Sequence, residues 1–441
     1  MTERYHLVGV GGTGMSALAQ VLLASGCRVS GSDRSFDRQS PAGDGNRTDI
    51  AVLRAAGADL FPQDGSGVTA GTAAVAVSSA IESDNPDLAA AARLGIPVRH
   101  RAELLAERAS GHTLVGVAGS SGKSTVTAMI GWILEGAGFD PVVVNGAVAL
   151  SWASDRWLGN VRWGAGSVWV AELDESDRSL LKFVPDWAVV TNVSRDHFGL
   201  DETRQLFQAF EGRVRGGVVR GEGEGGTPAG FDPQFEGACA RFNFRGELVR
   251  LGVPGRHNAD NALLAALLCE RLGVSAATIR DRLETFAGLR RRFETVSRAG
   301  GVTVVDDYAH NPAKIAAALD TAKRVGTRVL SVWRPHGYGP LAAMKDELAK
   351  SFADHSGPDD RLWLLPVFDA GGTADRRIRS EDLVQNLAGR GVSAELAPDT
   401  DSLVRRIVGV ARAGDVVLVM GARDPDLPAL ARAIGQRIGA A

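Results

Sequence analysis

Cysteine is scarce in this 441-residue chain: there are three, Cys27, Cys239 and Cys269, odd in number and far apart. That count and spacing argue against a disulfide framework and a cysteine-rich metal site, and they fit a reducing compartment. A long uninterrupted apolar run is also missing, so no membrane-spanning helix is expected. The opening MTERYHLVGVGG lacks the charged-then-apolar order of a secretory leader. Nor is there a basic excess. With 49 Lys and Arg against 52 Asp and Glu, the formal net charge is −3, which leaves no general electrostatic reason to bind nucleic acid. No short-period repeat appears, which argues against a solenoid. A soluble, cytoplasmic protein is the expectation, a monomer or weak homodimer without nucleic-acid partner or membrane insertion.

What is present is an alternation that restarts twice. The length exceeds what one core serves and suggests several domains. Over residues 1–108, short β-like runs (YHLVGV, CRVSGSD, AAVAVSS) alternate with helical stretches, the pattern of a parallel sheet. The pattern restarts at 109 with TLVGVAG and runs through SVWVAELDE and WAVVTNV to NADNALLAALLCERLG; it restarts again near 288 with GVTVVDDYAH, TRVLSVW, RLWLLPVFD and DVVLVMGA. Three consecutive α/β domains are expected, 1–108, 109–287 and 288–441. The polar stretch 36–50 and the glycine-dense stretch 215–230 read as surface loops.

The most chemical stretch is VGVAGSSGKST, residues 115–125, set between an apolar strand and a helix-like pattern in Val126, Met129, Ile130, Ile133 and Leu134. Glycines let backbone N–H groups converge on phosphate oxygens, the helix N-terminus adds its positive end, and a lysine adds a full charge. Gly119, Gly122, Lys123 and Ser124 fit those roles, Ser124 as a magnesium ligand. The strict G-x-x-x-x-G-K-[ST] pattern needs glycine at 117, where Val117 stands, so the match is to a shorter variant. A plain glycine-rich turn with a solvated lysine is the alternative.

Other candidates sit at strand ends. GVGGTG (Gly9, Gly11, Gly14) with Asp33 further on has dinucleotide-site spacing, but any pyrophosphate asks the same of a backbone. AELDESD offers Glu172, and TNVSRDHFG offers Asp196 beside His197, at strand C-termini beside the glycine loop, where magnesium-binding carboxylates belong; a lone His197 reads rather as a structural hydrogen-bonding residue, since magnesium prefers oxygen. In GRHNADNA, Asn258 caps a helix or reads a purine edge. The run Arg290–Arg292 is a solvated face or a neutraliser of transferring phosphate. VVDDYAHNP puts Asp306, Asp307, Tyr308 and His310 at a strand end.

Taken together, HLVGVGGTGMSALA, VSGSD, SSAIESDNPDLAAA, GIPVRHRAELLAE, AELDESD, VTNVSRDH, GRHNADNALLAA, FAGLRRRFE and DDYAHNP resemble, in that order, the Mur ligase family, nearest to the branch that joins L-alanine to UDP-N-acetylmuramate. The resemblance implies a Rossmann-like first domain, a P-loop ATP-binding second and a Rossmann-like third. It also implies an ATP- and Mg2+-dependent synthesis in which a donor carboxylate takes the γ-phosphoryl group and an amino acid's amine attacks the acyl phosphate, in peptidoglycan precursor synthesis.

By residue, the resemblance assigns Gly11, Gly12, Thr13, Gly14, Ser32, Asp33, Ser79 and Ala80 to a UDP-sugar. It assigns Gly119, Ser120, Ser121, Gly122, Lys123, Ser124, Thr125, Asn258, Asn261, Arg292 and Asp306 to ATP; Ser124, Glu172 and His197 to metal; and Tyr308, His310 and His336 to the acceptor. Lys123, Glu172, His197, Arg292 and Asp306 are the catalytic candidates.

Departures leave the acceptor open. Ser120, Ser121, Ser194, Gly199, Asn311 and Arg423 differ from the branch's usual residues, and RPHGYGP carries Gly337 and Pro340 where the branch has arginines. A paralogue with another amino acid or carboxylate, a non-catalytic nucleotide-binding relative, and, on GVGGTG alone, a dinucleotide-dependent oxidoreductase are the alternatives.

Overall fold

Runs such as TLVGVA and DVVLVM are apolar throughout rather than alternating, which suits strands covered by helices on both faces. The computed structural model describes residues 2–34, 45–194, 198–221, 230–369 and 375–440, and it builds three α/β units in chain order on such strands.

The first unit runs β1 (Arg4–Val8), α1 (Thr13–Ala24), β2 (Arg28–Ser32), α2 (Gly45–Ala55), β3 (Asp59–Phe61), β4 (Ala74–Val77), α3 (Pro86–Leu94), β5 (Val98–His100) and α4 (Arg101–Arg108). Its strands form an all-parallel sheet in the order β3-β2-β1-β4-β5. The expected loop at 36–50 is corrected: residues 45–50 open α2, and 36–44 lie outside the described residues.

The second unit runs β6 (Thr113–Ala118), α5 (Lys123–Gly136), β7 (Val142–Val144), β8 (Val161–Arg162), β9 (Val168–Glu172), β10 (Trp187–Val190), α6 (Leu200–Glu211) and β11 (Gly217–Arg220), in sheet order β11-β10-β6-β9-β7-β8. The central strand β6 therefore has β10 on one side and β9 on the other, and the crevice beyond their C-terminal ends is where open α/β sheets bind ligands. The expected loop at 215–230 also needs correction, since residues 217–220 pair with β10 as a parallel edge strand; 222–229 lie outside the described residues. A three-stranded antiparallel sheet follows, β12 (Gln234–Glu236), β13 (Cys239–Phe244) and β14 (Glu247–Pro254), with α7 (Arg256–Arg271) and α8 (Ala276–Glu284).

The third unit runs β15 (Glu294–Ala299), β16 (Val302–Asp307), α9 (Pro312–Val325), β17 (Arg328–Trp333), α10 (Tyr338–His355), β18 (Arg361–Leu364), α11 (Ser380–Ala388), β19 (Ala394–Leu396), α12 (Thr400–Val410), β20 (Asp415–Met420) and α13 (Leu427–Gly439). The sheet order is β15-β16-β20-β17-β18-β19, antiparallel only at β15.

The first two units share one apolar core. A single cluster of buried side chains runs from Leu7 and Leu18 through Leu114 and Val144 to Trp169 and Phe210. Separate clusters flank the third sheet. Among the described residues, no helix is long and apolar enough to cross a membrane.

Candidate functional site

The glycine loop is held in shape before any ligand arrives. Gly119 (φ +132°) and Gly122 (φ +85°) take backbone conformations that side chains resist. Contacts forbid a side chain as well: a β-carbon on Gly119 would lie 2.0 Å from Thr191 Oγ1, and one on Gly122 would lie 2.4 Å from Asn261 Oδ1. Residues just past β10 grip the loop from one side. The Ser121 N–H donates to Asn192 Oδ1 at 3.0 Å, Thr191 Oγ1 and Asn192 Nδ2 donate to Ser121 O, and Ser120 Oγ donates to Ser194 O at 3.0 Å. Asn261 thus lies against the loop itself, whereas Asn258 Nδ2 donates to Pro254 O at 2.6 Å.

Lys123 opens α5 with its ammonium turned back over the loop, donating to Gly119 O at 2.8 Å and lying 2.7 Å from Glu175 Oε2. Burial disfavours the charged ammonium, but the carboxylates of Glu175 and Glu172 outweigh it and raise the Lys123 pKa above the ordinary lysine value. Glu172 ends β9 beside β6, and its Oε2 accepts the Gly146 N–H at 2.6 Å. Ser124 and Thr125 are buried in the first turn of α5.

The Ser124 hydroxyl in the first turn of α5 and the Glu172 carboxylate at the end of β9 are oxygen donors of the kind magnesium takes, together with substrate phosphates and water. No group of three or more His, Cys, Asp or Glu among the described residues could hold a metal without such help, so the donor set fits a nucleotide-bound Mg2+ better than a protein-caged ion. His197, the other expected metal residue, lies outside the described residues.

In the first unit, Gly9 and Val10 N–H groups donate to Ser32 O, and the Gly11 N–H donates to Asp33 Oδ2 at 2.9 Å. A diphosphate reaching the Gly11 amide must displace that carboxylate. Gly12 is the N-cap of α1 and supplies no side-chain cap, so the amides of Thr13 and Gly14 face outward for an anion. Asp33 and Ala80 line a cavity of about 190 Å³ with Gly9, Arg34, Gln63, Ile81, Glu82 and Asn85. The Ser32 hydroxyl is buried and donates to Asp87 rather than to this cavity.

Two residues that the sequence reading passed over, Arg101 and Asp177, join the two units here. Arg101, the first residue of α4, stands so close to α1 that a β-carbon on Gly14 would lie 3.1 Å from its Nη1. Its Nη2 lies 3.2 Å from Asp174 and 3.8 Å from Asp177. Asp177 also accepts from Ser79 Oγ at 3.4 Å and lies 3.4 Å from His100 Nε2. Although burial opposes it, hydrogen bonds from His100 and Ser179 with the Arg101 charge hold the Asp177 carboxyl well below the usual carboxylate range. Arg101 and Asp177 sit inside stretches quoted above, HRAE and DESD, and so does Glu175, which holds Lys123 within the second unit. Nothing local marks them, because each acts on a distant segment.

In the linker and third unit, Arg291 rather than Arg292 meets Asp306, with Nε 3.4 Å from the carboxylate and Nη2 donating to Gly421 O at 2.5 Å. Arg292 lies over the Tyr308 ring at 5.0 Å. Arg291 lies over the same ring at 5.1 Å, and Arg291 and Phe293, on either side of Arg292, have φ of +58° and +50°, a strained backbone. Asp306 is buried, and burial raises its pKa to about 6 against the pull of Arg291. Asp307 accepts the Phe293 and Ala309 N–H groups, both at 2.7 Å. Tyr308, His310 and His336 come together, with ring centroids 5.6 Å apart for Tyr308 and His310 and 4.8 Å for the two histidines.

Known proteins bear on this geometry. Residues 4–113 match the model of the Mur ligase family catalytic domain, 117–209 that of the Mur ligase middle domain, and 291–423 that of the Mur ligase glutamate ligase domain. A UDP-N-acetylmuramate–L-alanine ligase of Gloeobacter violaceus is 35% identical, over 95% of this chain and 93% of its own. The enzyme of that name from Solibacter usitatus is 37% identical, over 95% and 92%. The crystal structure of the UDP-N-acetylmuramate-alanine ligase of Thermotoga maritima superposes with a TM-score of 0.81 at 25% identity, covering 99% of each chain.

Proposed function

This chain belongs to the Mur ligase family and is an ATP-dependent ligase of peptidoglycan precursor synthesis, and we propose that it joins an amino acid, L-alanine in the first instance, to the carboxylate of UDP-N-acetylmuramate in the cytoplasm. The supporting observation is a chain of contacts between the two units: Arg101, beside Gly14, meets Asp174 and Asp177, and Glu175 in the same stretch holds Lys123.

The N-terminal amides of α1, with Arg101 beside them, hold the donor's diphosphate and direct its carboxylate toward the second unit. Lys123 leaves Gly119 O and Glu175 to take the β- and γ-phosphates of ATP. Ser124 and Glu172 are the residues that would hold magnesium, which supplies charge neutralisation on those phosphates when bound. A carboxylate oxygen of the donor attacks the γ-phosphorus and ADP leaves. The amine of the acceptor then attacks the acyl carbon, phosphate departs with the carboxylate oxygen, and the ammonium's protons go to solvent. Phosphoryl transfer of this kind needs positioning and charge more than covalent help. In this reading Arg292 and Asp306 complete the ATP site from the linker and third unit, and Tyr308, His310 and His336 receive the acceptor.

One observation favours a different acceptor. Gly337 caps α10 with φ +151° and Pro340 sits in its first turn, so neither supplies a cation for an amino acid's carboxylate; Arg334, just upstream, is tied to Asp424 at 2.7 Å. The test is phosphate release with UDP-N-acetylmuramate, ATP and each amino acid in turn. Turnover fastest with alanine supports the first reading, turnover with another amino acid the second, and none with any removes both.

A further inference from the structure

Between the donor and nucleotide sites lies a set of buried amides that the reaction above does not use. Gln20, in α1, is fully buried. Its Nε2 donates to Asn160 Oδ1 at 2.7 Å and to Ser16 O at 3.0 Å, and its Oε1 accepts the Leu158 N–H at 3.0 Å. Asn160, 1% exposed and just ahead of β8, donates through Nδ2 to Thr13 O at 3.0 Å and to Ser16 Oγ at 3.2 Å. Both amides are thereby satisfied. The Asn160 carbonyl in turn accepts the Asn145 N–H at 2.8 Å, and the next amide along, Gly146, is the one held by Glu172.

A connected path therefore runs from Thr13, in the turn that faces the donor's diphosphate, through Asn160 and residues 145–146 to the carboxylate that faces the metal. The shared apolar core already seals these two units together, and apolar contacts alone tolerate sliding. A fully matched amide network in a low-dielectric interior has one good geometry.

We propose that Asn160 is a positioning residue: its side-chain amide locks the first turn of α1 to the backbone that orients Glu172, so that the donor carboxylate and the γ-phosphoryl group are held in register. The proposal rests on the ligase reading given above. Small errors in such a register are costly to the reaction while leaving each ligand's own contacts intact.

The test is Asn160→Asp, which keeps an acceptor for Gln20 but turns an oxygen toward Thr13 O. Expected are a folded protein of lowered melting temperature, since a buried carboxylate replaces the amide's donors, with unchanged affinity for ADP with magnesium, a raised KM for UDP-N-acetylmuramate, and kcat lower by at least about tenfold. Wild-type kcat and donor KM in the folded variant would overturn the proposal. So would an equal loss of ADP and donor affinity, the mark of a merely structural role. Should Asn160→Asp not fold, Ser16→Ala removes a single acceptor of the same amide; kcat should fall about two- to fivefold, and an unchanged kcat counts against the proposal. If the wild type joins no amino acid to any donor, the ligase reading fails separately, and calorimetry then decides: weaker UDP-N-acetylmuramate binding to Asn160→Asp with unaltered ADP binding sustains the inference, and equal binding sinks it.

Discussion

Lys123 Nζ lies 2.7 Å from Glu175 Oε2, the lysine side chain 14% exposed and the carboxylate buried at 4%. The lysine that should greet phosphate is therefore already matched within the protein, and ATP competes with a carboxylate for it. Lys123→Ala should lower phosphate release by about 10²- to 10³-fold, as removal of one transition-state charge does elsewhere, while UDP-N-acetylmuramate binding measured by calorimetry stays near wild type. The same change strands Glu175 in the interior and lowers thermal stability. Adding Glu175→Gln should restore the melting temperature and none of the turnover. Equal loss of ATP and UDP-sugar binding in Lys123→Ala would contradict the assignment of the two sites to separate units.

Glu172 is the second charge on which the site depends. Its neutral counterpart, Glu172→Gln, keeps an oxygen for the Gly146 N–H yet offers magnesium no anion. The magnesium concentration giving half-maximal turnover should rise at least about tenfold, with much of the rate recovered at saturating metal and ADP binding in EDTA unchanged. An unchanged magnesium requirement would remove Glu172 from the metal site.

Parts of this arrangement could be read from the chain and parts could not. The glycine loop was legible because its chemistry is local: Gly119, Gly122, Lys123 and Ser124 are spaced by what one phosphate needs. Arg101, Glu175 and Asn160 were not legible, since each acts on a segment at least about 50 residues away, and no spacing rule marks such a pair. The alternation in ARFNF and ELVRLGVP is a readable sign of the antiparallel β13 and β14. Residues 217–220 were hidden by the glycines around them, although Val218 and Val219 suffice for a short edge strand on β10. The helix from Gly45 opens on Asn46, Arg47 and Thr48, polar residues that read as loop until Val52 and Leu53 supply a buried face.

Asp306 supplies a pH dependence whose sign is fixed by its environment. Its carboxyl has a folded pKa of about 6 against an ordinary 3.8, so the folded state binds the extra proton between those values and stability falls as pH rises through that window. The cost is absent below about 4, complete above about 6, and worth about 3 kcal/mol at most. Asp306→Asn keeps an acceptor for Arg291 and carries no charge to bury. Its melting temperature, relative to wild type, should be lowest at pH 4.5 and climb through pH 6.5; a difference constant with pH would show that Asp306 does not titrate there. Where the ionised carboxylate contributes to ATP use, the same variant loses the acid limb of kcat/KM centred near pH 6.

His310 offers the sharpest separation of acceptor binding from phosphoryl transfer. Its Nδ1 is 2.9 Å from Tyr308 O, a contact that fixes the ring, and the edge-to-face contact with His336 at 4.8 Å joins the strand ends of β16 and β17. The ATP-side cation Lys123 belongs to another unit, so a change here should leave the first half-reaction alone. His310→Ala should raise the acceptor's KM about tenfold, the worth of one good hydrogen bond or slightly more, while KM for ATP and for UDP-N-acetylmuramate stay within about twofold of wild type. A variant that lost ATP affinity and kept acceptor affinity would place these rings on the nucleotide instead. That outcome would leave the acceptor's carboxylate to the cations around β17, with Arg334 the first to mutate, because its bond to Asp424 is the one an incoming carboxylate would have to break.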